Sequence, residues 1–296
     1  MSLYSSISRK LRKLFFAPGD IYLVKWIKYK FSLTQAYKLI QFYSKPNRVR
    51  TNGFAMYLDR HDMVISPILL RDKIWEPFET EVFMREVKYG DVVLDIGANM
   101  GYYTLLASKI IGNNAKIYAF EPDPGNFSLL KKNMKANNIK NVVLEQKAVS
   151  NETGKIKLYS CSDNKGDHRI YDSHDGRRAL DIRAVSMDDY FKDYKGVINF
   201  IKMDIQGAEI GALQGMQALL AKNKPLKMIT EYWPNGLRRF GADHEGYLKM
   251  ILACGFEMFE ISEENKTLES TTIPRLLETY TVGKDNFTNL LCIRKA

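Results

Sequence analysis

Four acidic side chains each close an apolar run, and the residues after each one suggest its use. Asp95 stands in Val92-Val93-Leu94-Asp95-Ile96, directly before Gly97-Ala98-Asn99-Met100-Gly101. Glu121 follows Tyr118-Ala119-Phe120 and precedes Pro122-Asp123, Asp204 follows Phe200-Ile201-Lys202-Met203, and Glu231 follows Leu226 to Thr230. An apolar run of strand length, a glycine loop and then a helical stretch is the layout of a ligand pocket in an open α/β sheet. Glycine lets the backbone approach a ligand and take dihedral angles that other residues resist. The start of the next helix offers unpaired N–H groups to ligand oxygens.

The chemistry of that ligand can be narrowed. A dinucleotide loop reads GxGxxG, whereas this chain has GxxxG with a carboxylate ahead of it. A buried carboxylate there repels a pyrophosphate and suits a phosphate-free ligand with a positive centre. S-adenosylmethionine (SAM), with an ammonium and a sulfonium, fits. Glu121 lies 24 residues after Gly97, close to the roughly 20-residue offset at which an acid reaches ribose hydroxyls. Its two oxygens can accept both hydroxyls of one ribose. Lys147-Ala148 end the third run, where an adenine edge is expected. The candidate cofactor residues are therefore Asp95, Gly97, Ala98, Asn99, Gly101, Tyr102, Glu121, Pro122, Lys147, Ala148 and Asp204. Ligands bind outside the carboxyl ends of such strands, so Asp204 is placed near a reacting methyl and Glu231 toward an acceptor. As a general base the candidates are Asp204, His168 and Glu231, in that order. No metal-ligand set is assigned; a divalent ion held by Asp204 and a neighbour is an open alternative to a base. Each residue also has a plainer reading: a tight turn at Gly97 and Gly101, a helix cap at Asp204, a surface loop at His168.

Elements must position these groups. Strands are predicted over 116–120, 142–149, 154–159, 197–203, 226–231, 256–261 and 290–293, with 183–185 extended. Helices are predicted over 75–87, 102–111, 124–137, 208–221 and 244–254, with a short one at 188–191 and a polar loop over 161–180. A hairpin is expected within 53–65, around Asp59-Arg60-His61-Asp62. Alternating strands and helices predict an α/β fold, a doubly wound, mostly parallel Rossmann-like sheet. The expected organisation is a basic helical N-terminal extension (1–50), a β-hairpin lead-in (51–74) and one cofactor-binding domain (75–296).

The net charge of +10 resides in the extension: residues 1–50 hold eleven Lys/Arg and one acid, and the rest is neutral. A phosphate-tracking pocket needs a basic face, so nucleic acid is not expected at the main pocket. Leu3, Ile7, Leu11 and Leu14 share one helical face beside Arg9, Lys10, Arg12 and Lys13. Two readings stand for this arm: it packs on its own domain or a partner chain, or it makes peripheral contact with an anionic membrane. Three scattered cysteines give neither a zinc pattern nor a disulfide framework. A cytoplasmic protein is expected, at the inner face of a membrane if the arm docks there.

Residues from about 75 to 296 resemble the FkbM-type SAM-dependent methyltransferases. The matching pieces are Gly90-Asp91-Val92-Val93-Leu94-Asp95-Ile96-Gly97-Ala98-Asn99-Met100-Gly101, Phe120-Glu121-Pro122, and Ile201-Lys202-Met203-Asp204-Ile205-Gln206-Gly207-Ala208-Glu209. The family's third motif usually reads Asp, an aliphatic residue, then Glu-Gly; here Gln206 replaces the glutamate. The resemblance implies O-methylation of a hydroxyl on a small molecule or glycan, often a sugar or natural product. Three rivals remain from the sequence: an NAD-linked enzyme, an RNA methyltransferase using the basic arm, and a non-catalytic SAM-binding scaffold.

Overall fold

A computed structural model describes residues 47–284 and 286–295. The predicted amphipathic helix over residues 3–14, and all but the last few residues of the basic extension, lie outside the described residues. In chain order the strands are β1 (Arg48–Thr51), β2 (Phe54–Tyr57), β3 (Val93–Ile96), β4 (Ile117–Phe120), β5 (Val142–Glu145), β6 (Ala148–Val149), β7 (Gly154–Ser160), β8 (Arg178–Val185), β9 (Phe200–Met203), β10 (Leu226–Tyr232), β11 (Glu257–Ser262), β12 (Thr267–Ser270) and β13 (Thr288–Arg294).

Eight strands form the main sheet in the order β12-β11-β13-β10-β9-β3-β4-β5. The run β10-β9-β3-β4-β5 is parallel throughout, and β13, β11 and β12 extend it with antiparallel pairings. The sheet is a Rossmann-like α/β fold. Both faces are covered, which is why its central strands read as unbroken apolar runs. Successive residues alternate between two apolar clusters: Leu94, Ile96, Phe120, Ile201 and Met203 fall in one, and Val93, Ile117, Ala119 and Phe200 in the other. Asp95 and Lys202, paired across β3 and β9, interrupt the second face.

Several expectations need correction. The N-terminal hairpin is β1–β2, centred on Asn52-Gly53, and Ile65–Asp72 is a helix. Asn52 and Gly53 both take positive φ (48° and 89°), the requirement of the tight turn that joins right-twisted strands. The predicted strand 142–149 divides: Val142–Glu145 joins the main sheet, while Ala148–Val149 joins a three-stranded sheet ordered β6-β8-β7. The extended piece at 183–185 is the end of an eight-residue strand that begins at Arg178. The predicted helix 208–221 is two helices, Glu209–Gln214 and Gln217–Lys222. A Cβ on Gly215 would stand 2.1 Å from the Ser150 carbonyl oxygen, and the Asp188 carboxylate accepts the Ala218 and Leu219 N–H groups at 3.0 and 2.7 Å. Close packing and a side chain from elsewhere thus end one helix and start the next. Helices Pro234–Phe240 and Ile273–Thr279 and strand β12 were not foreseen.

Candidate active site

The carboxyl ends of β3, β4, β9 and β10 bring Asp95, Glu121, Asp204 and Glu231 to one edge of the sheet. The loop after β3 is held by its own backbone: the Gly97 and Ala98 N–H groups donate to the Phe120 carbonyl at 3.0 and 2.9 Å. Gly97 has φ of 84°, and a Cβ on it would stand 2.0 Å from the backbone oxygen of Asp204. The position therefore has to be glycine if the ends of β3 and β9 are to meet. Glu121 steadies the loop from the next strand. Its Oε2 accepts the Asn99 N–H and its Oε1 the Asp123 N–H, both at 2.8 Å. Each oxygen keeps a second lone pair, so ribose hydroxyls can still be accepted. Burial pushes the Glu121 carboxyl up to about 8, against the pull of those N–H donors. Burial likewise raises Asp95 to about 6, opposed by the Thr104 hydroxyl that donates to its Oδ2 at 2.5 Å.

Two adjoining cavities open at this edge. The larger, of about 350 Å³, is lined by Asp95, Gly97, Ala98, Asn99, Tyr102, Asp204, Gln206 and Glu231, together with Trp75, Glu76, Tyr103, Arg169, Lys202 and Trp233. The smaller, of about 50 Å³, is lined by Glu121, Pro122, Asn126, Lys147, Ala148 and His168. Gly97, Asn99, Gly166, Asp204 and Gln206 border both. The loop between β7 and β8 crosses here, tied down by the Asn99 and Asn126 amides donating to the Lys165 carbonyl at 3.1 and 2.8 Å. An elongated ligand could bridge the two spaces beneath that loop.

The structure brings most of the predicted residues to the walls of these cavities, but not together in one place. Asp204 and Glu231 face the larger space. His168 faces the smaller one, beside Glu121 and Pro122, where its Nδ1 accepts the Cys161 N–H at 3.0 Å and Nε2 lies 3.9 Å from Asp123. Burial lowers its pKa below the ordinary histidine value, partly opposed by Asp123. Gly101 is on neither wall; it packs against Leu130 and Met134.

Sequence reasoning missed several groups. Lys202 is almost fully buried and pairs with Glu79 of the helix Pro77–Glu86 at 3.1 Å. Burial alone would lower its pKa, but Glu79, Asp204 and Glu76 outweigh that and raise it. A lysine inside an apolar strand was the available signal. Glu76 lines the larger cavity with φ of 39°, its carboxyl raised first by burial and then by Glu79. Arg169 is fixed by Asp167 at 2.7 and 3.0 Å and lies 5.0 Å over the Trp233 ring. Neither Glu76 nor Arg169 ends a strand, and neither belongs to a periodic pattern. Gln206 donates its amide to Asp204 Oδ1 at 2.9 Å and toward Glu231 at 3.3 and 3.5 Å. Burial, followed by the charges of Asp204 and Glu209, holds Glu231 well above the usual carboxylate range.

The donor set fits SAM: a cradle that a Cβ would fill at Gly97, carboxylates at Asp95 and Glu121, and no lysine or arginine on the glycine loop to meet a pyrophosphate. Fold and site together have the arrangement of the SAM-dependent methyltransferase class. Residues 95–258, more than half of the chain, match the family model described as Methyltransferase FkbM domain, and the protein belongs to that family. Among curated relatives, Methyltransferase 1 of Beauveria bassiana is 24% identical over 144 residues, covering 42% of this chain and 57% of its own length. Hexuronic acid methyltransferase AglP of Haloferax volcanii is 27% identical over 152 residues, covering 50% of this chain and 59% of its own. The chain thus spans under two thirds of either relative. Among solved structures, methyltransferase FkbM from Methylobacillus flagellatus aligns with a TM-score of 0.41 at 15% identity, covering 69% of this chain and 43% of that one.

Proposed function

We propose that this enzyme methylates a hydroxyl of a sugar, glycan or related natural product. The observation that carries the reading is the larger cavity's wall, which combines the carboxyl groups of Glu76, Asp204 and Glu231 with the aromatic residues Trp75, Tyr102 and Trp233. Carboxylate oxygens accept from neutral hydroxyl donors, and ring faces pack against the apolar faces of a polyol. AglP, a relative by sequence, is named for a hexuronic acid. SAM, when bound, supplies an activated methyl group on a sulfonium.

The chain's own residues supply position and proton transfer. Asp95 offers a carboxylate to the cofactor's positive end, and Glu121 offers its two oxygens to the ribose hydroxyls, both as acceptors when ionised and one as a donor when it keeps its proton. Trp233, backed by Arg169, holds one side of the acceptor, and Asp204 takes the proton of the attacking hydroxyl. The Gln206 amide fixes Asp204 by donating to its Oδ1. Holding the reacting groups at attack distance, away from bulk water, supplies most of the acceleration in such a displacement. Among the described residues no helix is long and apolar enough to cross a membrane. Peripheral contact through residues 1–50 is part of the proposal. Flotation with anionic liposomes should be lost when the chain begins near Arg50, and equal flotation of both forms refutes it.

Methyl-labelled SAM, incubated with the full chain and a panel of glycans, free sugars, polyketide-type alcohols and RNA, tests the main reading. Label in a hydroxyl compound supports it. Label in RNA alone, or SAM binding without transfer to any hydroxyl, would refute it.

A further inference from the structure

Three carboxylates converge at the inner end of the larger cavity. Asp204 follows β9, Glu231 is the penultimate residue of β10, and Glu209 opens the helix Glu209–Gln214. One oxygen from each lies within 4.8 Å of the other two. Asp204 and Glu231 open on the cavity, whereas Glu209 is fully buried behind them. Glu209 Oε1 accepts the Ile205 N–H at 2.9 Å, but its Oε2, equally buried, has no hydrogen-bond partner. A buried carboxylate oxygen without a donor is costly. The nearby cation, Lys202, is engaged by Glu79.

The space between the carboxylates already holds a polar group. The Gln206 amide nitrogen lies 2.9 Å from Asp204 Oδ1 and 3.3 Å from Glu231 Oε2. It puts a partial positive charge between two acids. A half-turn of that amide exchanges nitrogen for oxygen and presents a fourth oxygen to the same point.

We infer that Asp204, Glu209 and Glu231, with the Gln206 side-chain oxygen turned inward, hold one hard divalent cation of the Mg²⁺ or Mn²⁺ type. An all-oxygen set with no thiolate or imidazole suits such an ion. Mg²⁺–oxygen bonds of about 2.1 Å put neighbouring octahedral ligands about 3.0 Å apart, so the three oxygens, now within 4.8 Å of one another, draw together around the ion by about an ångström each or less. The protein ligands approach from the sheet side, which leaves the cavity side of the ion for water or an acceptor oxygen, as an open catalytic site requires. This goes beyond methyl transfer to a hydroxyl: with the ion bound, Gln206 no longer donates to Asp204, and the ion takes over from the free Asp204 carboxylate in easing the hydroxyl's loss of its proton. The binding test needs neither SAM nor an acceptor, so it can fail while methyl transfer stands.

The full chain is titrated with Mn²⁺ and the free-ion signal followed by electron paramagnetic resonance. One saturable site per chain is expected, from which excess Mg²⁺ releases Mn²⁺. Glu231→Gln should weaken the site by about tenfold or more, and Gln206→Glu, which adds a fourth carboxylate, should tighten it by about threefold or more. Circular dichroism checks that both variants fold. If Glu231→Gln does not fold, Gln206→Glu decides alone, and unchanged or weaker binding there overturns the inference. No saturable uptake at millimolar Mn²⁺, or uptake that neither variant alters, overturns it as well.

Discussion

Replacing Gly97 by alanine should cost more than its backbone angle explains, and the excess measures how closely the ends of β3 and β9 must meet. An L-residue at φ of 84° carries a left-handed penalty of about 1–2 kcal/mol. The added Cβ would also stand 2.0 Å from the Asp204 carbonyl oxygen, a backbone atom that cannot swing aside like a flexible side chain. Overpacking of this kind adds about 1–3 kcal/mol. Gly90 supplies the control: its φ of 88° is nearly the same, and a Cβ there meets nothing within 4 Å. Gly90→Ala should therefore lose only the angular part, about 1–2 kcal/mol, and Gly97→Ala about 2–5 kcal/mol in total. Urea unfolding reads both, with the midpoint moving and the slope unchanged. Titration with S-adenosylhomocysteine completes the comparison. Gly97→Ala should bind at least about tenfold more weakly, because Asp204 borders both cavities, and Gly90→Ala should bind as the parent does. Equal loss of stability in the two variants, or full cofactor affinity in Gly97→Ala, would refute the reasoning.

Breaking the buried Lys202–Glu79 pair from one side should be far worse than removing it whole: Lys202→Met should cost about 3–5 kcal/mol, and Lys202→Met with Glu79→Leu should recover much of that, by urea unfolding. Tyr102→Phe should cost about 1–3 kcal/mol, because its hydroxyl accepts the Trp75 N–H at 3.2 Å and the Asn52 amide at 3.0 Å; a thermal melt within error of the parent would contradict this. Stability should depend on pH through Glu121, raised from 4.5 to about 8. Between those values the folded chain keeps a proton that the unfolded chain has released, so stability is greatest below the unfolded value and falls as pH rises through the folded one. The slope attributable to one such group is at most about 1.4 kcal/mol per pH unit. Glu121→Gln should flatten that part of the profile, and a profile unchanged by the substitution would be evidence against the shift.

The strand-end acids were legible because their position rests on two facts visible in the chain: an apolar run of strand length, and a glycine or helix signal after it. Those two signals pointed to Asp95, Glu121 and Asp204, while Glu231 rested on the apolar run alone; the alternation of strands and helices pointed to a mostly parallel sheet. They did not point to Glu76 or Arg169, which reach the cavity from a helix entry and a long loop, where no period fixes a side chain's direction. Nor could they divide the helix at Gly215, because the cause lies in Ser150 and Asp188, distant in sequence. The Asn52-Gly53 turn was legible in principle; the looser alternation beyond it drew the hairpin too far toward Ile65. Lys202 was visible as a charge in a buried strand, but its partner Glu79 lies on a helix that only the folded chain brings against that face.

A crystal structure of the full chain with S-adenosylhomocysteine bears most directly on the site. The ribose hydroxyls should lie on Glu121, the amino group near Asp95, and the sulfur should point into the larger cavity toward Asp204 and Glu231. An adenosine lodged in the larger cavity against Glu231 and Trp233, with Glu121 untouched, would contradict the assignment of cofactor and acceptor sides.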